Sequence, residues 1–129
     1  MFDHVQIKVE DLQKSRAFYE PVLGTLGYGI VLDIEGVVVG FGKSPHNMME
    51  IRQADSRAPL SRSVHIALVA KSREAVQRFY QTALENGAKD NGPPGLRPEY
   101  EEGYFAAFVF DPDGHNIEAV FSEWPQNEK

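Results

Sequence analysis

The first ten residues alternate between apolar and polar side chains, which is the period of a β-strand with one apolar face. Val5, Ile7 and Val9 fall on one face, and His4 and Gln6 fall on the other. After this stretch, apolar or small residues recur at helical spacing. They are Leu12, Ser15, Phe18, Tyr19, Val22 and Leu23. The pattern predicts a strand followed by an amphipathic helix.

The same pattern returns further along the chain at an offset of 61 residues. His4 aligns with His65, and Phe18–Tyr19 aligns with Phe79–Tyr80. An internal repeat constrains the whole fold, because each copy must form the same local structure. The chain is therefore predicted to contain two copies of one unit, each beginning with a strand that carries a histidine.

Short strands are predicted after each helix, separated by turns. The predicted strands are Tyr28–Leu32, Val37–Phe41 and Met48–Gln53 in the first copy, and Tyr104–Phe110 and His115–Phe121 in the second. Asp33–Gly36 reads as a hairpin turn, and the Asp-Pro-Asp-Gly sequence at Asp111–Gly114 favours a type I turn. Pro21 is expected to kink or end the first helix. Gly42–Asn47 and Lys89–Gly103 are predicted to be loops.

These elements predict one α+β domain made of two βαβββ units. Unit one covers 1–53, a linker covers 54–62, unit two covers 63–122, and a frayed tail covers 123–129. The sheets are expected to be mixed, with the helices on their outer faces. The histidine-bearing faces of the first strands would then look into the space that the sheets enclose.

Composition excludes several classes of protein. The chain has 129 residues, a net charge of -6 and no cysteine. Without a basic cluster, a nucleic-acid partner is not expected. No apolar run is long enough for a transmembrane helix, and the first residues do not resemble a secretory signal. The lack of cysteine excludes disulfides and thiolate metal sites, and suits a cytoplasmic protein.

Four residues on predicted strands suggest a metal site. His4, Glu50, His65 and Glu118 each lie on the strand face opposite the apolar one. Taken singly, each is more often an ordinary surface residue, but the four occupy equivalent places in a repeat. Two imidazoles and two carboxylates suit Ni, Co, Mn, Fe(II) or Zn better than Ca or Mg. One divalent metal ion is therefore predicted.

The long loop of unit two carries candidate substrate contacts. Arg97, Tyr100 and Tyr104 lie in it or at its end. Arg97 would anchor an anionic substrate through paired hydrogen bonds, or else form a surface ion pair with the neighbouring glutamates. His46 and His115 are expected to be surface residues that do not reach the metal.

Three segments carry a resemblance to a known family: HVQIKVEDLQKSRAFY, HIALVA and FVFDPDGHNIEAV. Over nearly its whole length the chain resembles the vicinal oxygen chelate superfamily, which includes glyoxalase I, extradiol dioxygenases, methylmalonyl-CoA epimerase, and bleomycin and fosfomycin resistance proteins. The resemblance implies paired βαβββ units that form a cupped sheet around one metal. Its ligands would be His4, Glu50, His65 and Glu118, and it implies a homodimer.

Three functions remain open at this point. The first is a metal-dependent lyase or isomerase of glyoxalase type, in which Glu118 or Glu50 moves a proton on a small chelating substrate. The second is an Fe(II) extradiol-type dioxygenase with His4, His65 and Glu118 as ligands and a tyrosine of the loop as an acid. The third is a non-catalytic binding protein in which Trp124, Arg97 and aromatic residues contact a small molecule. Core packing is the expected role of three of those aromatics, Phe105, Phe108 and Phe110.

Overall fold

The computed structural model describes residues 1–123, so residues 124–129 of the predicted tail, Trp124 among them, lie outside the described residues. The elements of unit one are β1 (His4–Val9), α1 (Leu12–Gly24), β2 (Gly29–Ile34), β3 (Val38–Ser44) and β4 (Asn47–Gln53). Those of unit two are β5 (His65–Val69), α2 (Arg73–Glu85), β6 (Lys89–Asp90), β7 (Gly95–Leu96), β8 (Tyr104–Phe110) and β9 (Asn116–Ser122). Neither helix is long and apolar enough to cross a membrane.

The chain builds two mixed sheets, one from each unit, which confirms the α+β class and the βαβββ repeat. The strand order is β1-β4-β3-β2 in the first sheet and β5-β9-β8-β6 in the second, where β7 also pairs with β8. In both sheets the first strand runs parallel to the last, and the other pairs are antiparallel. Within the described sheets, β1 and β5 each pair on one edge only.

Both helices begin with a capping side chain of a type that favours this position. Asp11 accepts a hydrogen bond from the backbone of Lys14, and Ser72 accepts one from Ala75. Pro21 does not end α1, which continues to Gly24. Val22 and Leu23, which follow Pro21, are buried in the core, and that burial offsets the hydrogen bond that proline removes.

A single hydrophobic core spans both units. The apolar faces of the sheets pack on the helices, and α1 packs on α2. The largest side chains of this core include Phe18, Tyr19, Phe41 and Phe79, each at most 2% exposed. The predicted apolar faces of the strands are confirmed for most positions, since Ile7, Met49 and Ile117 join this cluster. Val5 is an exception, because it is exposed.

Two predicted loops contain more regular structure than expected. In place of the loop at Gly42–Asn47, β3 extends to Ser44 and β4 begins at Asn47. Gly42 permits this close approach, because an added Cβ would lie 2.7 Å from the Cα of Met48. The long segment after α2 also forms the short strands β6 and β7, whose backbones pair with β8. This pairing holds the segment against the second sheet.

Candidate functional site

Each unit places a buried glutamate on the face of its sheet that is opposite the core. Glu50 is 6% exposed and Glu118 is 2% exposed. Glu50 lies directly beside Gln6 in the β1–β4 register, and Glu118 lies beside Ala67 in the β5–β9 register. The histidine of each unit comes two residues before that neighbour on the same face. The two units therefore repeat the same placement of one histidine and one glutamate.

In unit two the histidine and the glutamate are in contact. His65 Nε2 lies 2.8 Å from Glu118 Oε1. The other carboxylate oxygen, Oε2, accepts a hydrogen bond from the hydroxyl of Tyr104. Burial raises the pKa of Tyr104, and the hydrogen bond to Glu118 raises it further, so this hydroxyl stays protonated at neutral pH. Both carboxylate oxygens of Glu118 thus contact a side chain, Oε1 that of His65 and Oε2 that of Tyr104.

In unit one the same positions make different contacts. Gln6 Nε2 donates to Glu50 Oε1 at 2.8 Å. His4 Nδ1 instead lies 2.8 Å from Asp3 Oδ1. The hydrogen bond to Asp3 raises the pKa of His4, and the charge of Glu50 raises it further. The two carboxylates therefore differ, because Glu50 has an amide donor where Glu118 has a histidine and a phenol.

The donor atoms of unit two fit a metal ion. Two ligands that bind one metal at about 2.1 Å and at right angles are about 3 Å apart. The 2.8 Å between His65 Nε2 and Glu118 Oε1 matches that separation. Asn116, the register partner of His65, also has a buried side-chain oxygen without a hydrogen-bond partner among the described residues. The nitrogen and oxygen atoms present here are the donor set that Ni, Co, Mn, Fe(II) and Zn accept.

The four predicted ligands do not converge within one chain. Among residues 1–123, only Asp111, Asp113 and His115 form a group of three acidic or histidine side chains with ligand atoms within 4.8 Å of one another. The faces that carry Glu50 and Glu118 both lie opposite the shared helical core. His4 and Glu50 therefore lie at one place in this chain, and His65 and Glu118 lie at another.

The Asp111 group proves to be a closed hydrogen-bond network, and the prediction that His115 is a surface residue is wrong. His115 is 2% exposed, with Nδ1 3.0 Å from Asp111 Oδ2 and Nε2 2.9 Å from the carbonyl of Ser61. Asp111 Oδ2 also accepts from the hydroxyl of Tyr19. Every ligand atom of Asp111 and His115 is thus engaged, and the network joins α1, the linker and the β8–β9 turn. His46 is an exposed residue, as predicted.

The hydrogen bond to Asp111 raises the pKa of His115, against the effect of burial. Burial would raise the pKa of Asp111, but the hydrogen bonds from His115 and Tyr19 lower it overall. The backbone carbonyl of Ser61 can only accept, so Nε2 of His115 must carry a proton. With Asp111 ionised, Nδ1 is protonated as well. The network therefore holds a buried imidazolium and carboxylate.

Phe108 of β8 and Tyr100 of the long segment form an aromatic cluster near Glu118. Phe108 is the register partner of Glu118 and is buried as expected, although it lies outside the main core cluster. Its ring lies 6.2 Å from that of His65 and 6.5 Å from that of Tyr100. The guanidinium carbon of Arg97 lies 5.4 Å from the Phe108 centroid. Phe105, by contrast, packs in the core as expected.

The predicted ion pair of Arg97 with nearby glutamates does not form among the described residues. Its guanidinium instead donates to the carbonyl of Pro93 at 2.6 Å and stacks on Phe108. Two further contacts of the site, from Gln6 and from the Tyr104 hydroxyl, were not predicted. Strand parity placed Gln6 on the face of His4, but nothing in the sequence indicates which side chain reaches which carboxylate.

Known proteins share this fold. The family model of the glyoxalase/bleomycin resistance protein/dioxygenase superfamily matches residues 1–119. A glyoxalase/bleomycin resistance protein from Albidiferax ferrireducens T118 is 30% identical, with a TM-score of 0.80 over 94% of this chain and 98% of that one. A lactoylglutathione lyase from Agrobacterium tumefaciens is 18% identical, with a TM-score of 0.69 over 96% of both chains, and shows a likeness of fold alone.

A search of the curated proteins found no match. The family model nevertheless covers most of the chain, including both strand–helix repeats, β8, the Asp-Pro-Asp-Gly turn and the first part of β9. The chain therefore belongs to the glyoxalase/bleomycin resistance protein/dioxygenase superfamily.

Proposed function

We propose that the protein is a metal-dependent lyase or isomerase of glyoxalase type. Its substrate would be a small molecule that binds the metal through two adjacent oxygens. The observation that carries this proposal is the pair formed by His65 Nε2 and Glu118 Oε1, 2.8 Å apart on the face opposite the core. The matching placement of His4 and Glu50 in unit one supports it. Ni, Co, Mn, Fe(II) or Zn would suit these ligands.

We further propose that a homodimer assembles the complete site. Because the two half-sites do not meet within one chain, a second copy would supply the missing half. His4 and Glu50 of one chain would then face His65 and Glu118 of another. The unpaired edges of β1 and β5 leave room for this approach. A twofold dimer of this kind contains two equivalent sites.

The chain's own residues would bind the substrate and move a proton. When bound, the metal stabilises negative charge on the substrate oxygens. Glu118 or Glu50 would take a proton from the carbon next to the carbonyl and return it elsewhere. Arg97, which has no carboxylate partner among the described residues, would hold an anionic group of the substrate, with Tyr100 against the same Phe108 ring.

Metal content per chain tests the proposal. Protein purified without chelator would be offered Ni, Co, Zn, Mn and Fe(II) in turn, and its metal measured by mass spectrometry. About one equivalent per chain is expected, since a twofold dimer contains two sites. His65→Ala should lose it, whereas the control Tyr80→Phe should keep it, because the Tyr80 hydroxyl donates to Asp90 outside the candidate site. No stoichiometric metal under any condition would refute the proposal and favour the binding protein.

Mixing two inactive variants tests the composite site. His4→Ala and His65→Ala homodimers each lack one ligand in both sites. In a heterodimer one site combines the two intact halves, so an equimolar exchanged mixture should recover about a quarter of the wild-type metal content. Recovery of none would show that each site is built within one chain.

A second candidate is the Fe(II) extradiol-type dioxygenase. The amide of Gln6 occupies an oxygen of Glu50, which favours a set of three ligands: His4, His65 and Glu118. The protein would be loaded with Fe(II) under anaerobic conditions and then given catechols and oxygen. Oxygen consumption would support the dioxygenase, and no oxygen consumption would exclude it. The cytoplasmic location expected from the composition stays a prediction.

A further inference from the structure

The two glutamates of the candidate site are held in unequal ways, and this difference rests on Tyr104. In the β1–β4 register Gln6 stands beside Glu50 and donates to it. The equivalent neighbour of Glu118 is Ala67, which has no polar side chain. The hydroxyl of Tyr104, from a different strand, supplies the hydrogen bond instead.

Tyr104 is itself fixed by the segment that precedes it. Its carbonyl accepts a 2.7 Å hydrogen bond from the backbone of Arg97, and its own backbone donates to Glu101. Its ring meets that of Tyr100 edge to face at 5.2 Å. These contacts leave the hydroxyl little freedom to move away from Glu118. A side chain so restrained can orient the carboxylate that it contacts.

We infer that Tyr104 is a positioning residue that fixes Glu118 with one oxygen, Oε1, presented to the metal beside His65. The inference rests on the proposed metal-dependent function. Because Tyr104 occupies Oε2, Glu118 binds through a single oxygen and stays in place. Among the described residues, Glu50 has a single hydrogen-bond partner, the amide of Gln6, whereas Glu118 has both His65 and Tyr104. Glu50 is therefore the carboxylate that can release and move the proton. Glu118 is thus the fixed metal ligand and Glu50 the residue that moves the proton, although the two occupy equivalent positions in the repeat.

The test compares Tyr104→Phe with Tyr80→Phe. Both variants remove one tyrosine hydroxyl that donates to a carboxylate, but the partner of Tyr80 is Asp90, outside the candidate site, at 3.1 Å. The dissociation constant for Co(II) would be measured by competition with a chelating dye. Tyr104→Phe should bind about 10- to 100-fold more weakly than wild type, and Tyr80→Phe should equal wild type.

The visible spectrum of bound Co(II) separates positioning from general stabilisation. Absorption by Co(II) depends on the number and arrangement of its ligands, so a freed second oxygen of Glu118 should change the spectrum of Tyr104→Phe. A variant that is only less stable would keep the wild-type spectrum. Unchanged affinity and an unchanged spectrum in Tyr104→Phe, with normal Co(II) binding by wild type, would overturn this inference alone. Failure of the wild type to bind Co(II) or any other metal would overturn the proposed function as well.

Comparison of two further variants tests the division of roles. Glu118→Gln should lose most Co(II) affinity, whereas Glu50→Gln should lose less, because Glu50 is the ligand that loosens. Equal losses in the two variants, or a larger loss in Glu50→Gln, would contradict this assignment. The far-UV circular dichroism of each variant would confirm that it is folded.

Discussion

Removal of the Asp111 carboxylate tests whether the buried network holds the two units together. Asp111 accepts hydrogen bonds from the hydroxyl of Tyr19, from Nδ1 of His115 at 3.0 Å, and from the backbones of Asp113 and His115 at 2.9 and 2.8 Å. In Asp111→Ala these donors lose their acceptor inside the protein. Breaking one side of a buried ion pair costs about 3–5 kcal/mol in free energy of unfolding.

Asp113→Ala is the matched control, because it changes the same turn. Within residues 1–123, Asp113 accepts one hydrogen bond, from the backbone of Glu10 at 3.3 Å. Burial raises the pKa of its carboxyl group. Its replacement should cost about 1 kcal/mol or less. The two variants should therefore differ by about 2–4 kcal/mol. At a urea slope of about 2 kcal/mol per molar, this difference moves the midpoint by about 1–2 M.

Urea unfolding followed by circular dichroism at about pH 6 measures this difference, with the slope checked for each variant. A double-mutant cycle with Tyr19→Phe should give a coupling of about 0.5–3 kcal/mol, because the two side chains share one hydrogen bond. Coincident midpoints for Asp111→Ala and Asp113→Ala would refute the reasoning. So would an absence of coupling between Tyr19 and Asp111.

Three further predictions address pH, packing and the site. The raised pKa of His115 adds stability that is fully present below its unfolded value of 6.5 and is lost as the pH rises through the folded value. Wild type should therefore lose more stability than His115→Gln between about pH 6 and about pH 9, and parallel urea midpoints would contradict this. Gly42→Ala should lower the melting temperature by several degrees, about 1–3 kcal/mol, because its Cβ meets the Met48 backbone, whereas Gly29→Ala meets nothing within 4 Å. Glu118→Gln should abolish turnover of any substrate found while leaving the fold intact, and full activity in that variant would exclude Glu118 from the site.

The sequence by itself determined the local structure. The alternation in β1, β4, β5 and β9 depends only on residues two apart, and it correctly separated the core-facing side chains from Glu50 and Glu118. The capping roles of Asp11 and Ser72 were also predictable, since a cap contacts a backbone group three residues away. The repeat and its motifs then indicated the family. All of these signals act over short distances along the chain.

Only the tertiary structure decided which of these residues meet. The hydroxyl of Tyr19 reaches Asp111 across 92 residues. Asp111 also contacts His115, so that a residue predicted to lie at the surface is a buried ion. The unequal partners of Glu50 and Glu118 likewise depend on strand register and on the path of the long segment. Periodicity assigns a side chain to a face, but it cannot fix the distance between two faces. That distance depends on how the two units pack, which leaves His4 and Glu50 apart from His65 and Glu118 in this chain.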